Sequence, residues 1–328
     1  MKVYLLTAYP EGARQPTNFQ AQWLRNSARR DPFGKHELAE SPEAADLVLF
    51  IENHPDDDPL FLRVATHPVW RRFARKAFLY HDSDYAYPFA PGLYPSLTRR
   101  HHSPERCGGC HYIGRIEENK ALRFAPLGER PEYLFSFVGG NNHPVRARLL
   151  GLKHPRAFVQ DTTGQHAWLL SHTERQAYEQ HYNDVLAQSA FVLCPAGLGP
   201  STYRLFETME CGRVPVILSD SWVAPAGVPW ETCSLRVPEA AAESIPEMLA
   251  SVPPERVLEM AANARRVWQS WFSQDVSFHR IVSWCEAIVH ERSSQRSLTN
   301  VGHVARLLGS DPRMMLRFLR RTRWRAAA

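Results

Sequence analysis

The sequence predicts an α/β protein of two domains, each built on a parallel sheet. Three observations carry that reading. Strand and helix signals alternate through the first half of the chain, and the alternation starts again near residue 135. A length of 328 residues suits two domains of ordinary size. Near the middle, residues 189–220 spell out a complete strand–loop–helix–strand unit. Such βα alternation places functional groups at the carboxyl ends of the strands.

Taken in order, residues 3–8 predict a first strand and residues 19–30 a helix. Residues 45–52 form an apolar run that ends beside Glu52, Asn53 and His54. Residues 61–76 have helical spacing broken by Pro68. Residues 77–81 predict a third strand, which leads into Asp82-Ser83-Asp84. The aromatic, proline-rich stretch 85–103 reads as a long loop. A second series opens with the strand 135–140 and continues with a helix over 144–152, a strand over 157–161 and a helix over 171–186. Val257, Met260, Ala261, Ala264, Val267 and Trp268 follow helical spacing, as do Phe278, Ile281, Val282 and Cys285. The resulting division is 1–130 and 131–275 for the two domains, 276–300 for a further helix, and 301–328 for a tail.

The unit at 189–220 carries the chemistry. Phe191 to Cys194 is an apolar run typical of a buried parallel strand. Pro195, Gly197, Gly199 and Pro200 then interrupt the pattern, and Ser201 is placed to cap the following helix. Gly212 falls where a helix end favours a left-handed residue, and residues 214–218 form the next strand, followed by Asp220. Arg204 lies in the first helical turn, where the helix dipole disfavours a cation by roughly 0.3–1 kcal/mol unless an anion compensates. Free N–H groups beside a guanidinium suit a diphosphate. Glu207, one turn further on, is suited to accept hydrogen bonds from sugar hydroxyls. The alternative is an i,i+3 ion pair on the surface, worth a few tenths of a kcal/mol.

These residues resemble the exostosin family of glycosyltransferases. The match runs through Cys194-Pro195-Ala196-Gly197, Ser201, Tyr203-Arg204-Leu205-Phe206-Glu207 and Gly212 to Asp220. It continues through Trp222-Val223-Ala224-Pro225, Val228-Pro229-Trp230 and the strand-like 233–238, covering about a quarter of the chain. The resemblance implies a GT-B architecture: two facing Rossmann-like domains, with the acceptor on the first, the nucleotide-sugar on the second, and a terminal helix that crosses back to the first. It further implies that Arg204 holds the diphosphate and Glu207 the ribose. Gly139 and Gly140, with Arg146 in the next helix, match a turn that approaches the donor from beneath. Two departures stand out. The loop lacks an arginine after Pro195 that some relatives carry, and the chain shows no membrane anchor of the kind animal exostosins have. A cytoplasmic, bacterial enzyme is therefore expected.

Bulk composition bounds the rest. No run approaches the roughly 20 apolar residues of a membrane span, and the apolar N-terminus is too short for a signal peptide. Six cysteines without such a signal suggest free thiols in a reducing compartment. The net charge of +5 is concentrated in residues 301–328, which hold seven arginines and one aspartate. Within them Arg313, Arg317, Arg320 and Arg321 share one helical face, with Met315, Phe318 and Leu319 on another. A basic amphipathic helix of this kind suits an anionic membrane surface, which fits an acceptor that is a surface glycan or lipid-linked. Nucleic acid would use the same charge but is not the expected partner.

Inverting transfer needs a base for the acceptor hydroxyl. Asp84 and Asp82 are the first candidates, then Glu52 and His54 at the preceding strand end. Asp82-Ser83-Asp84 also reads as the metal-binding D-x-D of the other glycosyltransferase architecture, GT-A. No metal or other cofactor is expected if the diphosphate site lies at Arg204. Cys107-Gly108-Gly109-Cys110-His111 is compatible with zinc together with His101 and His102, but reads more simply as thiols in a loop.

Overall fold

The computed structural model describes residues 1–9, 19–53, 61–84, 87–113, 119, 121–165, 170–294 and 309. His54 and the amphipathic segment 313–325 lie outside these residues.

Two all-parallel sheets organise the chain. The first holds β1 (Lys2–Leu6), β2 (Glu37–Leu38), β3 (Leu47–Asn53), β4 (Ala77–Asp82), β5 (Gly92–Tyr94) and β6 (Cys107–Gly109), in the order β2-β1-β3-β4-β5-β6. The second holds β7 (Tyr133–Gly139), β8 (Ala157–Asp161), β9 (Ser189–Pro195), β10 (Val214–Leu218) and β11 (Leu235–Arg236), in the order β11-β10-β9-β7-β8. Both are Rossmann-like, and together they give the expected GT-B arrangement. The central strands β3, β4, β9 and β10 are buried almost throughout, which explains their unbroken apolar sequences.

The helices follow the expected periods. They are α1 (Phe19–Arg30), α2 (Leu62–Thr66), α3 (Pro68–Arg72), α4 (Pro144–Leu150), α5 (His172–Ala187), α6 (Tyr203–Glu210), α7 (Trp230–Cys233), α8 (Ile245–Ala250), α9 (Pro254–Trp271) and α10 (Gln274–Ser294). Pro68 separates α2 from α3 by opening the second helix, with His67 as its cap. α10 leaves the second domain and packs on α1, β5 and β6 of the first. Phe278, Ile281, Val282 and Cys285 are fully buried there, and the Phe278 amide donates to Ser27 Oγ at 2.8 Å. Among the described residues no helix is long and apolar enough to cross a membrane.

The loop expected over 85–103 is corrected. It contains β5, and β6 follows at the cysteines. A Cβ at Gly92 would overlap the Leu79 carbonyl, so only glycine lets β5 run this close to β4. Cys107 and Cys110 are consequently core residues at 0% exposure rather than loop thiols.

Candidate active site

The carboxyl ends of the two sheets face each other. Trp222, after β10, donates from Nε1 to the Pro95 carbonyl after β5 at 2.9 Å. The Arg99 amide donates to Ser221 O at 2.7 Å, and the Val223 amide to Leu97 O at 2.9 Å. The loop between β9 and α6 touches the first domain directly. A Cβ on Gly199 would overlap the Asp84 carbonyl and reach Ser96 Oγ at 2.5 Å.

Around this loop the structure gathers most of the sequence-selected residues. Arg204 is the second residue of α6, and its guanidinium lies 5.0 Å from the centre of the Phe137 ring. Its Nη2 donates to the Val138 carbonyl, while buried Nε and Nη1 have no hydrogen-bond partner among the described residues. Arg146, on α4, lies over the same ring at 5.9 Å. It donates from Nε to Ala196 O at 2.9 Å and from Nη1 to Gly140 O at 3.2 Å. Burial pushes the Arg146 guanidinium down to about 9, and Arg204 pushes in the same direction, while Asp84 opposes both. Two cations thus lie over one aromatic ring, with unfilled donors at the N-terminus of a helix. That combination favours a polyanion.

Glycines create the space. A Cβ on Gly139 would lie 2.8 Å from Arg204 Nη2, and one on Gly197 would overlap Arg146 Nη2. Gly140 packs at 3.4 Å on Thr163 by the same measure. Arg146 therefore brings a guanidinium to the loop that lacks an arginine after Pro195. Phe137, fully buried, was not singled out from sequence. Its signal was its position two residues before Gly139 on the strand.

Glu207 is buried at 6% exposure and accepts from the Tyr182 hydroxyl at 2.8 Å. The surface-pair alternative therefore fails on burial. Tyr182 comes from α5 and had no sequence signal. Ser201 was expected to cap α6, but Thr202 occupies the N-cap position and no side chain caps the helix. Ser201 Oγ is instead buried, without a hydrogen-bond partner among the described residues. Asp220 stands apart. It accepts from the Glu239 amide at 3.3 Å, while its own amide donates to Glu239 Oε1 at 3.1 Å.

The carboxylates of the first domain divide by position. Asp84 lies under Gly199 and accepts from the Tyr112 hydroxyl at 2.6 Å. Burial pushes its carboxyl up, while the Tyr112 hydrogen bond and Arg146 pull it down. Asp82 ends β4 and is buried at 1% exposure. Glu52 is fully buried on β3, accepting from Thr7 Oγ1 at 2.8 Å and the Ala8 amide at 2.6 Å. Burial pushes it up to about 8. Its bonds to the loop after β1 make it part of that loop's scaffold.

Zinc at Cys107 and Cys110 finds no assembled ligand set. Cys107 Sγ meets the His101 carbonyl at 3.5 Å, and His111 Nε2 pairs with Ser277 Oγ at 3.0 Å. Among the described residues no group of three or more His, Cys, Asp or Glu side chains is placed to hold a metal ion.

Set against known proteins, the part of this site built on the second sheet lies within a region that matches a family model. The model of the Exostosin GT47 domain matches residues 113–252, which reaches well upstream of the motif legible in the sequence. Exostosin-1 homolog of Caenorhabditis elegans is 33% identical over 172 residues, covering 48% of this chain and 45% of that one. Exostosin-1 of Drosophila melanogaster is 27% identical over 201 residues, covering 58% and 25%. Probable beta-1,4-xylosyltransferase IRX10L of Arabidopsis thaliana is 31% identical over 122 residues, covering 34% and 29%. The chain thus spans less than half the length of these curated relatives. All three are eukaryotic and lend the expected bacterial origin no support. Among solved structures, Anabaena HepE in complex with UDP aligns at a TM-score of 0.45 and 10% identity over 90% of this chain and all of that one. Over residues 113–252 the chain is thus similar to the Exostosin GT47 domain, and the two parallel sheets supply the GT-B frame independently.

Proposed function

We propose that the chain is an inverting, metal-independent glycosyltransferase that moves a sugar from a UDP-sugar to a surface-glycan or lipid-linked acceptor. The observation that carries this reading is the Arg146–Arg204 pair on Phe137, with unfilled donors at the α6 N-terminus directly opposite Asp84. The diphosphate of the donor binds the two guanidiniums, and Glu207 accepts from the ribose hydroxyls. Gly139, Gly140, Gly197 and Gly199 keep the approach open, and Ser201 Oγ contributes one further hydrogen bond. Asp84 takes the proton of the acceptor hydroxyl as its oxygen attacks the anomeric carbon. The bond to the diphosphate breaks on the opposite face, and the leaving charge is stabilised by Arg204, Arg146 and the helix dipole. In this reading the guanidiniums do the work that a divalent cation does elsewhere. The basic segment 301–328 is proposed to bring the enzyme to an anionic membrane surface on the cytoplasmic side.

The test is calorimetric titration with UDP, followed by UDP release from a panel of UDP-sugars with and without EDTA. Binding and EDTA-resistant turnover are expected. Activity lost with EDTA and restored by Mg²⁺ or Mn²⁺ favours a metal-dependent transferase using Asp82 and Asp84. Binding without turnover of any donor favours a non-catalytic role.

A further inference from the structure

We infer that Tyr112 is a positioning residue that fixes Asp84 and ties it to the donor helix α6. The inference rests on the proposed role of Asp84 and extends it to a residue outside the motif. Tyr112 leaves β6 for the second domain and is buried at 7% exposure. Its hydroxyl lies 2.6 Å from Asp84 Oδ1 and 2.7 Å from Ser96 Oγ. A phenol has one proton to give. With that proton on Asp84, Ser96 donates to the phenol oxygen, and the chain runs Ser96 to Tyr112 to Asp84. The Tyr112 ring packs against that of Tyr203, with ring centres 4.0 Å apart and planes tilted by 31°. Tyr203 is the first residue of α6 and the neighbour of Arg204. Any displacement of the first turn of α6 that accompanies diphosphate binding therefore bears directly on the ring that orients Asp84.

The charged and titratable groups that face Asp84 are Tyr112, from the segment after β6, and Arg146, from α4. Among the described residues only Tyr112 is hydrogen-bonded to it, so Tyr112→Phe removes a hydrogen bond to the charged form and leaves the ring contact with Tyr203 in place. Losing that bond favours protonated Asp84 and displaces its titration to higher pH.

The probe is UDP-glucose, a diester with no proton that titrates near neutrality, bound to the full-length chain by calorimetry across pH 4–8. The binding constant of the wild-type chain should show an inflection that Asp84→Asn abolishes. Tyr112→Phe should move that inflection upward by about one pH unit, a roughly tenfold change in the proton affinity of Asp84. Tyr203→Leu should move it the same way, and the double variant no further than Tyr112→Phe alone. A purely structural Tyr112 would change melting temperature and leave the inflection in place, which overturns the inference. Additive shifts in the double variant overturn the link to α6. An inflection that survives Asp84→Asn removes Asp84 from the site, and absence of UDP-glucose binding removes the donor reading; either result takes this inference with it.

Discussion

Substituting Arg204 by alanine separates a diphosphate site from a structural arginine. In the folded protein Arg204 gives one hydrogen bond to the Val138 carbonyl and lies over the Phe137 ring. Those contacts are worth about 0.5–1.5 and about 0.5–1 kcal/mol respectively. Against them stand its unfavourable position in the first turn of α6, its repulsion of Arg146, and two buried donors without partners. The gains and losses are of similar size, so stability should change by no more than about 1 kcal/mol. Binding has no such compensation. In the proposed site a diphosphate fills the Nε and Nη1 donors, and losing charge-assisted bonds of this kind costs about 1.5–3 kcal/mol. The expected result is a UDP dissociation constant weakened by roughly 10- to 150-fold. Titration calorimetry with UDP reads the affinity, and circular dichroism confirms the fold. A folded Arg204→Ala protein that binds UDP as tightly as the wild type refutes the phosphate assignment.

Four further outcomes are expected. Glu207→Gln should weaken UDP and uridine binding by comparable factors, because the lost contact is to the ribose; a change confined to melting temperature would assign Glu207 to the Tyr182 bond alone. Gly199→Ala should reduce turnover far more than UDP affinity, since its Cβ overlaps the Asp84 carbonyl and not the arginines; equal losses in both would count against that division. The buried Glu52 carboxyl, raised from 4.5 to about 8, binds more protons folded than unfolded across that window, so its contribution to stability is full below pH 4.5 and falls by up to ~1.4 kcal/mol per pH unit as pH rises to about 8. Denaturant melts from pH 6.5 to 8 should show the decline and Glu52→Gln should flatten it; the lower half of the window is masked by His111, held down to about 3, whose contribution rises with pH up to 6.5. Finally, the full chain should co-sediment with anionic liposomes, weakly dependent on salt, and removing residues 301–328 should abolish this while leaving UDP binding intact; indifference of the full chain to anionic liposomes rejects the membrane role.

The parts of the fold legible in the sequence are those with enough consecutive apolar residues to set a period. β3, β4, β9 and β10 are buried on both faces, so their sequences are continuous hydrophobic runs. β5 and β6 escape because each is three residues long and contains glycine at the point of closest approach. In the site, Arg204 was legible because a cation in a first helical turn is electrostatically misplaced. Glu207 was legible by its spacing from Arg204, but its partner Tyr182 comes from another helix, and local spacing carries no trace of it. Ser201 fitted the composition of a cap, yet the helix starts one residue later and leaves the hydroxyl to face the loop. Phe137 and Tyr112 matter through what lies across from them in space, which a single sequence does not encode locally.

The contacts between the domains bear on how the proposed base is tuned. α10 fastens the second domain to α1, Trp222 is fully buried against the loop after β5, and Gly199 rests on Asp84. A carboxylate in open water has its ordinary affinity for protons and is a weak base at neutral pH. With the β9–α6 loop seated on it, Asp84 loses solvent and its proton affinity rises, the direction a general base requires. Burial also pushes Glu52 up, to about 8. Hydrogen bonds oppose burial at both groups, from the Tyr112 hydroxyl at Asp84 and from Thr7 and Ala8 at Glu52, and at Asp84 the Arg146 guanidinium adds to that opposition. Two buried carboxyls at neighbouring strand ends thus have different surroundings: Glu52, pushed up to about 8, is tied to the loop after β1, while the proton affinity of Asp84, the proposed base, is set by the donor loop seated on it, by Tyr112 and by Arg146.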